Sequence, residues 1–465
     1  MNTWELSDTL HRAVKMAMDA GEAKSLEEAH ALFSTYRLAA RVGPDVATSG
    51  TLQAIVLTVV NTAARSFLGG VEVSGHTAAP LLVPWQGCTT LGEAVESLGG
   101  RITAKPDAAV PVVLVGEVEP IEAQFCVRAT FDGWEAGVFP ADQGERLNEA
   151  HEFAPAGVLA GALAVSEAFQ HVRGSNVLAG RRRLGLSLWR PWDPGAWLTP
   201  AGVGPPLGCL PTDLWLIGLG HLGQAYLWTL GLLPYADPKS LHLVLQDYDL
   251  LVPANLSTSP LTFPDMVGQK KTRELGTWCE RRGFRTTLLE LPFGPDLRVR
   301  DCDPQLALCG VDNALARSAL EEVGFRRVIE AGLGKGVREF LAFQIHGFPG
   351  PQRARKRWEL GRRAPSPSQE VGRPAYVALA KEGLEACGVT TLAGKTVGAP
   401  FVGTAVAAIV VAEIIRQLEG AAPLGMLDAT LRDPGSVSGT AWASPVDPFN
   451  PGSTENLIPP PARTG

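Results

Sequence analysis

The sequence lacks the features that mark secreted, membrane-spanning and nucleic-acid-binding proteins. Its longest apolar run, residues 404–415, is too short to cross a bilayer and contains Glu413. The first 24 residues are charged and amphipathic, so no secretory signal is predicted. The net charge of −7 gives no reason to expect general binding to nucleic acid or to an anionic membrane.

Paired cysteines are also missing. None of the 7 cysteines forms a CxxC pair, and their odd number argues against a disulfide framework or a zinc site built from spaced pairs. The predicted location is therefore a reducing cytoplasm.

What the chain does have is 45% hydrophobic residues over 465 positions, which is enough for a globular protein of two or more domains.

The first half of the chain has the pattern of an α/β unit and ends in a proline-, glycine- and tryptophan-rich linker at 190–208. The stretches "GVEVSG" and "AAVPVVLVGEV" have the composition of strands, and "TLGEAVESLGG" between them has that of a helix ended by glycine. "AQFCVRATFDGWEAGVFP" alternates like a β-hairpin, and residues 155–172 predict a buried helix. That helix is similar in its small and apolar residues to the one predicted at 401–419, which suggests that the two halves share a fold.

The second half alternates strand-like and helix-like segments, which predicts a parallel, doubly wound sheet. Its first strand leads into Gly218-Leu-Gly220-His-Leu-Gly223, a turn without Cβ atoms that can place helix amides beside a phosphate. Asp247 ends the next strand, where a ribose hydroxyl is commonly held. A nicotinamide-dependent oxidoreductase would show these features too.

Further polar elements follow in a characteristic order. They are Asp249 at the strand end, Asn255-Leu256, a Gly-x-x-Lys element that ends at Lys271, and Asp312-Asn313 followed by Arg317. Over about residues 211–420 this set resembles the ThiF/MoeB-like superfamily, which activates ubiquitin and ubiquitin-like sulfur carriers.

The resemblance implies ATP and Mg²⁺ as cofactors and adenylation of a carrier's C-terminal carboxylate. Charge builds up on phosphate oxygens as pyrophosphate leaves, so fixed cations do most of the catalysis. Lys271 would neutralise the phosphates, and Asp312 would hold Mg²⁺; both are expected to face a solvent-filled cleft. Asp247 would hold the ribose, with Asp249, Asn255 and the amides of the glycine loop completing the cofactor site.

The sequence departs from the family pattern after Asn-Leu. The family has Arg-Gln there, whereas this chain has Ser257-Thr258-Ser259, and Thr258 cannot offer phosphate a bidentate cation. In the family a further arginine often comes from the partner adenylation unit. Here that unit would be the first half, with Arg37 and Arg41 as candidates; without a replacement, activity is reduced or absent.

The candidate nucleophile is Cys387, which lies where ubiquitin activators carry the thioester cysteine. Residues 348–374 show no clear period and predict a loop or crossing segment. A cysteine in a mobile, glycine-flanked loop near Arg355, Lys356 and Arg357 would be exposed and reactive. The alternative is an incidental or buried thiol.

The predicted fold is α/β, with a Rossmann-like, doubly wound adenylation domain and a degenerate Rossmann-like N-terminal half, together a pseudo-dimer. The predicted divisions are the inactive half with its linker, the ATP-binding domain, the crossover segment with the cysteine, and the helix that completes the domain with the tail: 1–205, 206–347, 348–400 and 401–465. The chain would act as a monomeric pseudo-dimer or as a homodimer.

The predicted function is ATP-dependent activation of a ubiquitin-like protein with a C-terminal glycine. Adenylation would be followed by thioester formation and transfer to a conjugating enzyme, as in bacterial conjugation operons, some of them antiphage. A non-catalytic scaffold is one alternative, since Thr258 permits it. A nicotinamide-dependent oxidoreductase is another, although it leaves Lys271 and Asp312 without a role.

Overall fold

The computed structural model describes residues 4–359, 369–442 and 451–455, apart from residues 86, 106 and 108. Residues 360–368 of the predicted crossover segment and most of the predicted tail lie outside the described residues. The helices are α1 (Leu6–Thr9), α2 (Val14–Ala20), α3 (Leu26–Ser34), α4 (Gly50–Ala64), α5 (Leu91–Ser97), α6 (Ala154–Val172), α7 (His221–Gly231), α8 (Lys271–Arg281), α9 (Ala314–Ser318), α10 (Gly336–Glu339), α11 (Ala354–Glu359), α12 (Pro374–Lys381), α13 (Ala386–Gly394) and α14 (Pro400–Leu418). The strands are β1 (Arg37–Val42), β2 (Gly70–Gly75), β3 (Gly100–Ile102), β4 (Val112–Val115), β5 (Cys126–Asp132), β6 (Glu135–Pro140), β7 (Leu184–Ser187), β8 (Cys209–Pro211), β9 (Asp213–Ile217), β10 (His242–Gln246), β11 (Arg285–Leu289), β12 (Leu306–Cys309), β13 (Arg327–Leu333), β14 (Ala342–Phe348), β15 (Leu424–Thr430), β16 (Ser438–Ala441) and β17 (Ser453–Glu455).

Each half of the chain builds one large sheet with the same strand order. The first sheet has seven strands in the order β3-β2-β1-β4-β5-β6-β7, and the second has eight in the order β11-β10-β9-β12-β13-β14-β15-β16. In both, the first five strands in chain order are parallel and the later ones antiparallel. The reversal of strand order beside β1 and beside β9 is that of a Rossmann-like, doubly wound sheet. The predicted fold class is confirmed.

The helices α6 and α14 also correspond, since each has 19 residues and connects the sixth strand of its sheet to the seventh. They pack against each other, and α4 and α7 pack against them, so the two sheets share a helical core. Glycines allow this close approach: a Cβ atom at Gly157 in α6 would lie 2.5 Å from the carbonyl oxygen of Thr51. Between α7 and α4, Trp228 donates its indole N–H to the Thr58 hydroxyl at 3.1 Å.

Helix α14 includes the apolar run noted in the sequence. By length and composition it could cross a membrane, but 89% of it is buried inside the protein. Its apolar character follows from contacts with α6 and α7 on several sides, as expected for a helix surrounded by protein.

The structure corrects the prediction that residues 348–374 form a loop or crossing segment without regular structure. The described part contains α11 before the gap, and α12 and α13 follow between 374 and 394. These helices have only 6, 8 and 9 residues. A helix that short shows little periodicity in the sequence and depends on packing for its stability.

Candidate functional site

The predicted site residues follow β9, β10 and β12, which are neighbours in the second sheet. The order reverses at β9, so the connections after β9 and β12 leave toward opposite faces of the sheet and open a crevice at its carboxyl edge. Ligands of doubly wound proteins bind in that crevice. The glycine loop follows β9, Asp247 and Asp249 follow β10, and Asp312 follows β12.

The three glycines of the loop differ in what they allow. Gly218 has a φ of +87°, which side chains rarely adopt, and a Cβ atom at Gly223 would lie 2.0 Å from the carbonyl oxygen of Gly218. These two glycines are required by the turn and by the close packing of α7 on it. At Gly220, in contrast, a Cβ atom would meet nothing within 4 Å. Gly220 precedes α7, and no side chain in the described part of the protein caps this helix. An open space therefore lies before a helix N-terminus, a suitable place for a phosphate.

Asp247 holds the glycine loop against the end of β10. Its carboxylate accepts hydrogen bonds from the backbone N–H of Leu219 at 2.7 Å and from that of Asp249 at 2.9 Å. The side chain is only 8% exposed. Asp247 thus fixes the position of the loop, a role that its predicted contact with a ribose does not require.

Lys271 is the first residue of α8, and its ammonium lies between two carboxylates. Nζ is 2.9 Å from Asp249 and 3.6 Å from Asp247. A cation is unfavourable at a helix N-terminus, and these carboxylates compensate for it. The expectation that Lys271 faces a solvent-filled cleft is wrong, because its side chain is 9% exposed. The Asp249 side chain is 51% exposed, so solvent reaches the ion pair from the side of Asp249. A phosphate that enters there would compete with Asp249 for the ammonium of Lys271.

Asp312 is exposed, as the sequence predicted, and its carboxylate has no hydrogen bond or ion pair among the described residues. The residues around it are held in place. The Asn313 side chain caps α9 by accepting from the N–H of Leu315 at 2.8 Å, and Arg317 donates to the carbonyl oxygen of Val311 at 2.6 Å. No cluster of three or more metal-ligating side chains occurs in the part of the chain that is described. A single free carboxylate beside a phosphate site nevertheless fits Mg²⁺, which usually takes one or two carboxylates together with phosphate oxygens and water.

Asn255 and the residues after it form the side of the site nearest the first half. The Asn255 side chain accepts from the backbone N–H of Val252 at 2.9 Å and so shapes the turn. Thr258, where the family has arginine, is buried. Ser257 accepts a hydrogen bond at 3.1 Å from the backbone N–H of Arg12, in the N-terminal segment.

The structure does not bring Arg37 or Arg41 to this site. Arg37 pairs with Glu72 at 2.7 Å and with Asp107 at 2.8 Å, and Arg41 donates to the carbonyl oxygen of Glu119 at 2.9 Å. All of these partners belong to the first sheet and its loops. Both side chains lie on β1 and bond to partners within the first half.

Two other arginines from the first half do reach the segment after Asn255. Arg65, at the end of α4, donates to the carbonyl oxygens of Ser259, Pro260 and Thr262 at 3.1–3.2 Å, and burial lowers its pKa to about 10. The Arg65 side chain thus fixes the main chain of residues 259–262.

Arg12 is different, because its Nη1 is buried without a hydrogen-bond partner among the described residues. Burial also lowers the pKa of Arg12. Its Nη2 donates to the carbonyl oxygen of Ser7 at 2.9 Å, while its backbone N–H contacts Ser257, the neighbour of the position that lacks the family's arginine. Arg12 is the residue that sequence reasoning missed. No local pattern in "HRAVKMAM" indicates it.

Cys387 is exposed, but it does not lie in a glycine-flanked loop as predicted. It is the second residue of α13, which packs against α1 and α12. Arg355, Lys356 and Arg357 lie on α11, which packs against α9 instead. Arg355 lies 3.5 Å from Glu322, and Arg357 donates to Gln344 at 2.8 Å, so this basic run packs beside α9 and not beside the helix that carries the cysteine.

The cysteine-bearing helices are attached to the N-terminal segment by a buried polar cluster. Lys15 in α2 pairs with Asp19 at 2.6 Å and donates to the carbonyl oxygen of Ala393 in α13 at 3.3 Å. Tyr376 in α12 donates its hydroxyl hydrogen to Asp19. One N-terminal segment therefore contacts both Ser257, through the backbone of Arg12, and the helix that carries Cys387.

Two cavities stand out in the described structure. One of about 790 Å³ is lined by Arg317, Glu330 and His346 and lies beside the Asp312 loop. The other, of about 900 Å³, lies between Trp85 of the first half and Trp278 of α8. The larger one contains none of the predicted site residues.

Comparison with known proteins identifies the family over both halves. The BilD C-terminal domain model matches residues 210–421, and the BilD N-terminal domain model matches residues 37–188. The bacterial E1-like protein BilD of Collimonas sp. (strain OK412) is 43% identical over 430 residues, which are 91% of this chain and 92% of that protein.

Solved structures give weaker similarity. E. coli MccB has a TM-score of 0.33 at 11% identity, over 50% of this chain and 62% of its own. The E. coli MccB structure with ATP has a TM-score of 0.31 at 13% identity, over 50% of this chain and 64% of its own. The match thus spans less than two thirds of MccB, and no site residue is carried over from it. On the strength of the two domain models and the long match at 43% identity, the chain belongs to the BilD family of bacterial E1-like proteins.

Proposed function

We propose that the second half of the chain uses ATP to adenylate the C-terminal carboxylate of a ubiquitin-like protein. One observation carries the proposal: the uncapped start of α7, the buried ammonium of Lys271 and the free carboxylate of Asp312 follow three adjacent strands. A hydride transfer has no use for a buried cation and an exposed acid at this edge. Phosphoryl chemistry needs both, because it must stabilise negative charge on phosphate oxygens.

In the proposed reaction, a carboxylate oxygen of the substrate bonds to the α-phosphorus of ATP. The bond from this phosphorus to the bridging oxygen breaks, and pyrophosphate leaves with that oxygen. The amides of α7 and the ammonium of Lys271 stabilise the charge that develops. Asp312 would hold Mg²⁺, which when bound neutralises charge on the phosphates. Asp247 keeps the glycine loop in place through Leu219.

Arg12 is our proposal for the cation that the position of Thr258 lacks. Its backbone is bonded to Ser257, and its Nη1 has no partner in the described ranges. A guanidinium offers phosphate a bidentate donor pair that threonine cannot provide. The first half would then contribute directly to catalysis in the second.

We further propose that Cys387 takes the activated carboxyl group as a thioester. The thiolate would attack the acyl carbon of the adenylate, forming a C–S bond, while the C–O bond to AMP breaks and AMP leaves. A conjugating enzyme would then receive the acyl group by thiol exchange. The exposure of Cys387 and the contact of its helix with the N-terminal segment support this role.

The proposed setting is the cytoplasm, since all 7 cysteines are free in the structure. A part in antiphage defence belongs to the same proposal and is tested by phage plating on cells with and without the active chain. Because one chain contains both sheets, a monomer is expected to suffice, with a homodimer as the alternative.

The test is ATP–pyrophosphate exchange with ubiquitin-fold proteins that end in glycine, beginning with any encoded beside this chain. Exchange is expected in the presence of such a protein and not without it. Tight binding of NAD with no binding of ATP would overturn the proposal. ATP binding without exchange for any carrier would favour the catalytically impaired scaffold that Thr258 permits.

Cys387 is tested in the same system by a thiol-reducible adduct with the carrier. Cys387→Ala is expected to abolish the adduct and to leave exchange within about twofold, because adenylation does not need the thiol. Cys302→Ala is the matched control, since Cys302 is also exposed but lies on a loop of the second half. An adduct that persists in Cys387→Ala would assign the nucleophile elsewhere.

A further inference from the structure

The connection between α6 and β7 is longer than its counterpart in the second half. It spans residues 173–183, here called the α6–β7 loop, whereas the connection between α14 and β15 spans residues 419–423. The second half therefore joins the same two elements of the fold without an extended loop. The adenylation chemistry described above assigns no role to the α6–β7 loop.

Two apolar residues, Val177 and Leu178, form the tip of the α6–β7 loop. They are the central residues of a tight turn in which the N–H of Ala179 donates to the carbonyl oxygen of Asn176 at 3.1 Å. Val177 is 82% exposed and Leu178 is 49% exposed. Central turn positions usually carry glycine, proline, asparagine, aspartate or serine. Two branched apolar side chains at this place gain little burial within the chain, so the turn itself gives no reason for them.

Hydrogen bonds on both sides of the tip hold it in this exposed position. The Asn176 side chain accepts from the N–H of Leu178 at 3.1 Å and donates to the Gln170 side chain at 3.1 Å. After the turn, the N–H of Gly180 donates to the buried carboxyl group of Glu167 at 2.8 Å. A partner that contacts the tip therefore meets a main chain that is already ordered, which lowers the entropic cost of binding.

The surroundings of the tip are positively charged. Arg181 is exposed and has no ion pair among the described residues. Arg432, from the second half, donates to the carbonyl oxygen of Ser175 at 2.8 Å and has no acidic partner in the described part of the chain. Arg183, in contrast, is paired with Glu145 at 2.9 Å. Two guanidinium groups without carboxylate partners beside exposed apolar side chains fit a protein surface that combines apolar side chains with carboxylates.

The α6–β7 loop lies at the same edge of the second sheet as the adenylation site. Arg182 pairs with Asp433 at 3.2 Å, which attaches the loop to the turn after β15. β15 ends at Thr430, opposite Ala342 at the start of β14, so this turn lies at the carboxyl end of the parallel strands β12 and β13. β15 is three strands from β12, which Asp312 follows, a separation of about 14 Å at the usual spacing of strands.

We infer that the tip of the α6–β7 loop is a docking point for the folded body of the ubiquitin-like substrate, on an apolar face of that body that carries carboxylates. The inference rests on the proposed function, because it takes the substrate's carboxyl terminus to lie beside Asp312. A small globular domain is on the order of 30 Å across, so a body whose tail ends there is wide enough to reach the turn after β15. The first half thus helps to select the substrate that the second half activates.

The experiment compares a whole substrate with its tail alone, using the full chain. The probe is the ubiquitin-fold protein that gives the fastest ATP–pyrophosphate exchange in the test above, supplied as the folded protein and as a synthetic octapeptide of its C-terminal end. The variants are Val177→Ser, Leu178→Ser, the conservative Val177→Ile, and Arg181→Ala. The matched control is Leu82→Ser, because Leu82 is 45% exposed on the connection between β2 and α5.

Val177→Ser and Leu178→Ser should each raise the concentration of folded substrate for half-maximal exchange about tenfold, because each removes apolar contact area. The concentrations of ATP and of octapeptide should stay within about twofold, since neither has a body that reaches the tip. Val177→Ile and Leu82→Ser should behave as the wild type. Arg181→Ala should raise the substrate requirement about threefold at low salt and little at high salt, where exposed charges are screened.

An unchanged requirement for folded substrate in Val177→Ser and Leu178→Ser would overturn the inference, as would an equal rise for ATP or for the octapeptide, which indicates a merely structural role. Slower transfer to a conjugating enzyme at an unchanged substrate requirement would also overturn it and assign the tip to that enzyme. In each of these cases the proposed function stands. A wild-type chain that shows exchange with no ubiquitin-fold protein would instead refute the proposed function, and this inference with it.

Discussion

The two halves have the same strand order but differ in whether side chains cap the start of their first long helix. In the first half, the N-terminal amides of α4 are occupied by the protein's own side chains. Ser49 accepts from the N–H of Leu52 at 3.0 Å, and Glu152 accepts from the N–H of Thr51 at 2.7 Å. In the second half, α7 begins after Gly220, and no side chain among the described residues caps it.

The same contrast holds at the neighbouring strand end. Asp45 follows β1, and its carboxylate accepts from the backbone N–H of Glu117, after β4, at 2.8 Å. A Cβ atom at Gly116 would lie 2.1 Å from that carboxylate, so the space is filled. In the first half the carboxylate of Asp45 therefore fills this place, whereas the second half has room for a bound anion. The shared fold therefore gives the location of a site, and the residues at the edge of the sheet decide whether that site is open.

The largest expected difference between the halves is in catalysis. Lys271→Ala should slow pyrophosphate exchange by roughly 10²–10³-fold, because it removes a cation from the charged transition state. The equivalent edge of the first half carries the Arg146–Asp45 pair, 3.5 Å apart. Arg146→Ala should change the rate less than about twofold, since a partly exposed ion pair contributes little. Equal losses in both variants would contradict an inactive first half.

A second difference concerns the arginines of the first half. Arg12→Ala should slow exchange about 10²-fold if its guanidinium reaches the phosphates. Arg37→Ala, the change at the arginine predicted from the sequence, should have little effect because its partners lie in the first sheet. Exchange rates and thermal unfolding of both variants check this. A loss of rate in Arg12→Ala that is fully explained by unfolding would refute the proposed role.

The open helix start can be closed by substitution. Gly220→Asp would copy the first half's arrangement, because the new side chain meets no atom within 4 Å at its Cβ and can cap α7. We expect ATP to bind about tenfold more weakly while the chain is stabilised by about 0.3 kcal/mol, since glycine is only slightly worse than aspartate as an N-cap. Calorimetry with ATP and denaturant unfolding measure the two effects. Unchanged ATP affinity would show that the phosphates lie elsewhere.

The last difference is in stability, at two equivalent glutamates. Glu167 and Glu413 occupy the same position in α6 and α14. Glu167 accepts from the backbone N–H of Gly180, before β7, at 2.8 Å, and Glu413 from that of Leu424, the first residue of β15, at 2.7 Å. Glu413 lies 2.9 Å from Arg416 and 3.8 Å from Arg327. Glu167 has no ion pair within the described structure, and burial raises its pKa from 4.5 to about 7.

The sign of the pH dependence follows from this pKa. Between pH 4.5 and about 7 the unfolded chain has already lost a proton that folded Glu167 still holds, so stability falls as pH rises through this window, by up to about 3 kcal/mol. Glu167→Gln should keep the bond from Gly180 and be more stable than the wild type at pH 8 but not at pH 4. Glu413→Gln should destabilise at both, because it leaves arginines unpaired. Unfolding free energies at the two pH values provide the test.

Much of the fold was predictable because its signals are local. The strands around "PVVLVGEV" and "DLWLIGLG" are short apolar runs bounded by turns, typical of the buried strands of a parallel sheet, and both form. The similarity of 155–172 to the C-terminal helix correctly indicated a repeated architecture. The helices around Cys387 were missed, although Pro374 at the first position of α12 is a recognised start signal.

The sequence by itself determined where a phosphate site could form, because Gly218, Gly220 and Gly223 express backbone requirements within a single turn. It also determined which side chains follow the strands, Lys271 and Asp312 among them. Only the tertiary structure decided that Lys271 is buried between two carboxylates, and that the main chain of Arg12, and not Arg37, contacts the segment after Asn255. It alone paired Glu330 with His346. The physical reason is that contacts between segments far apart in the chain arise from how helices and sheets pack, and packing leaves no periodic pattern in either segment.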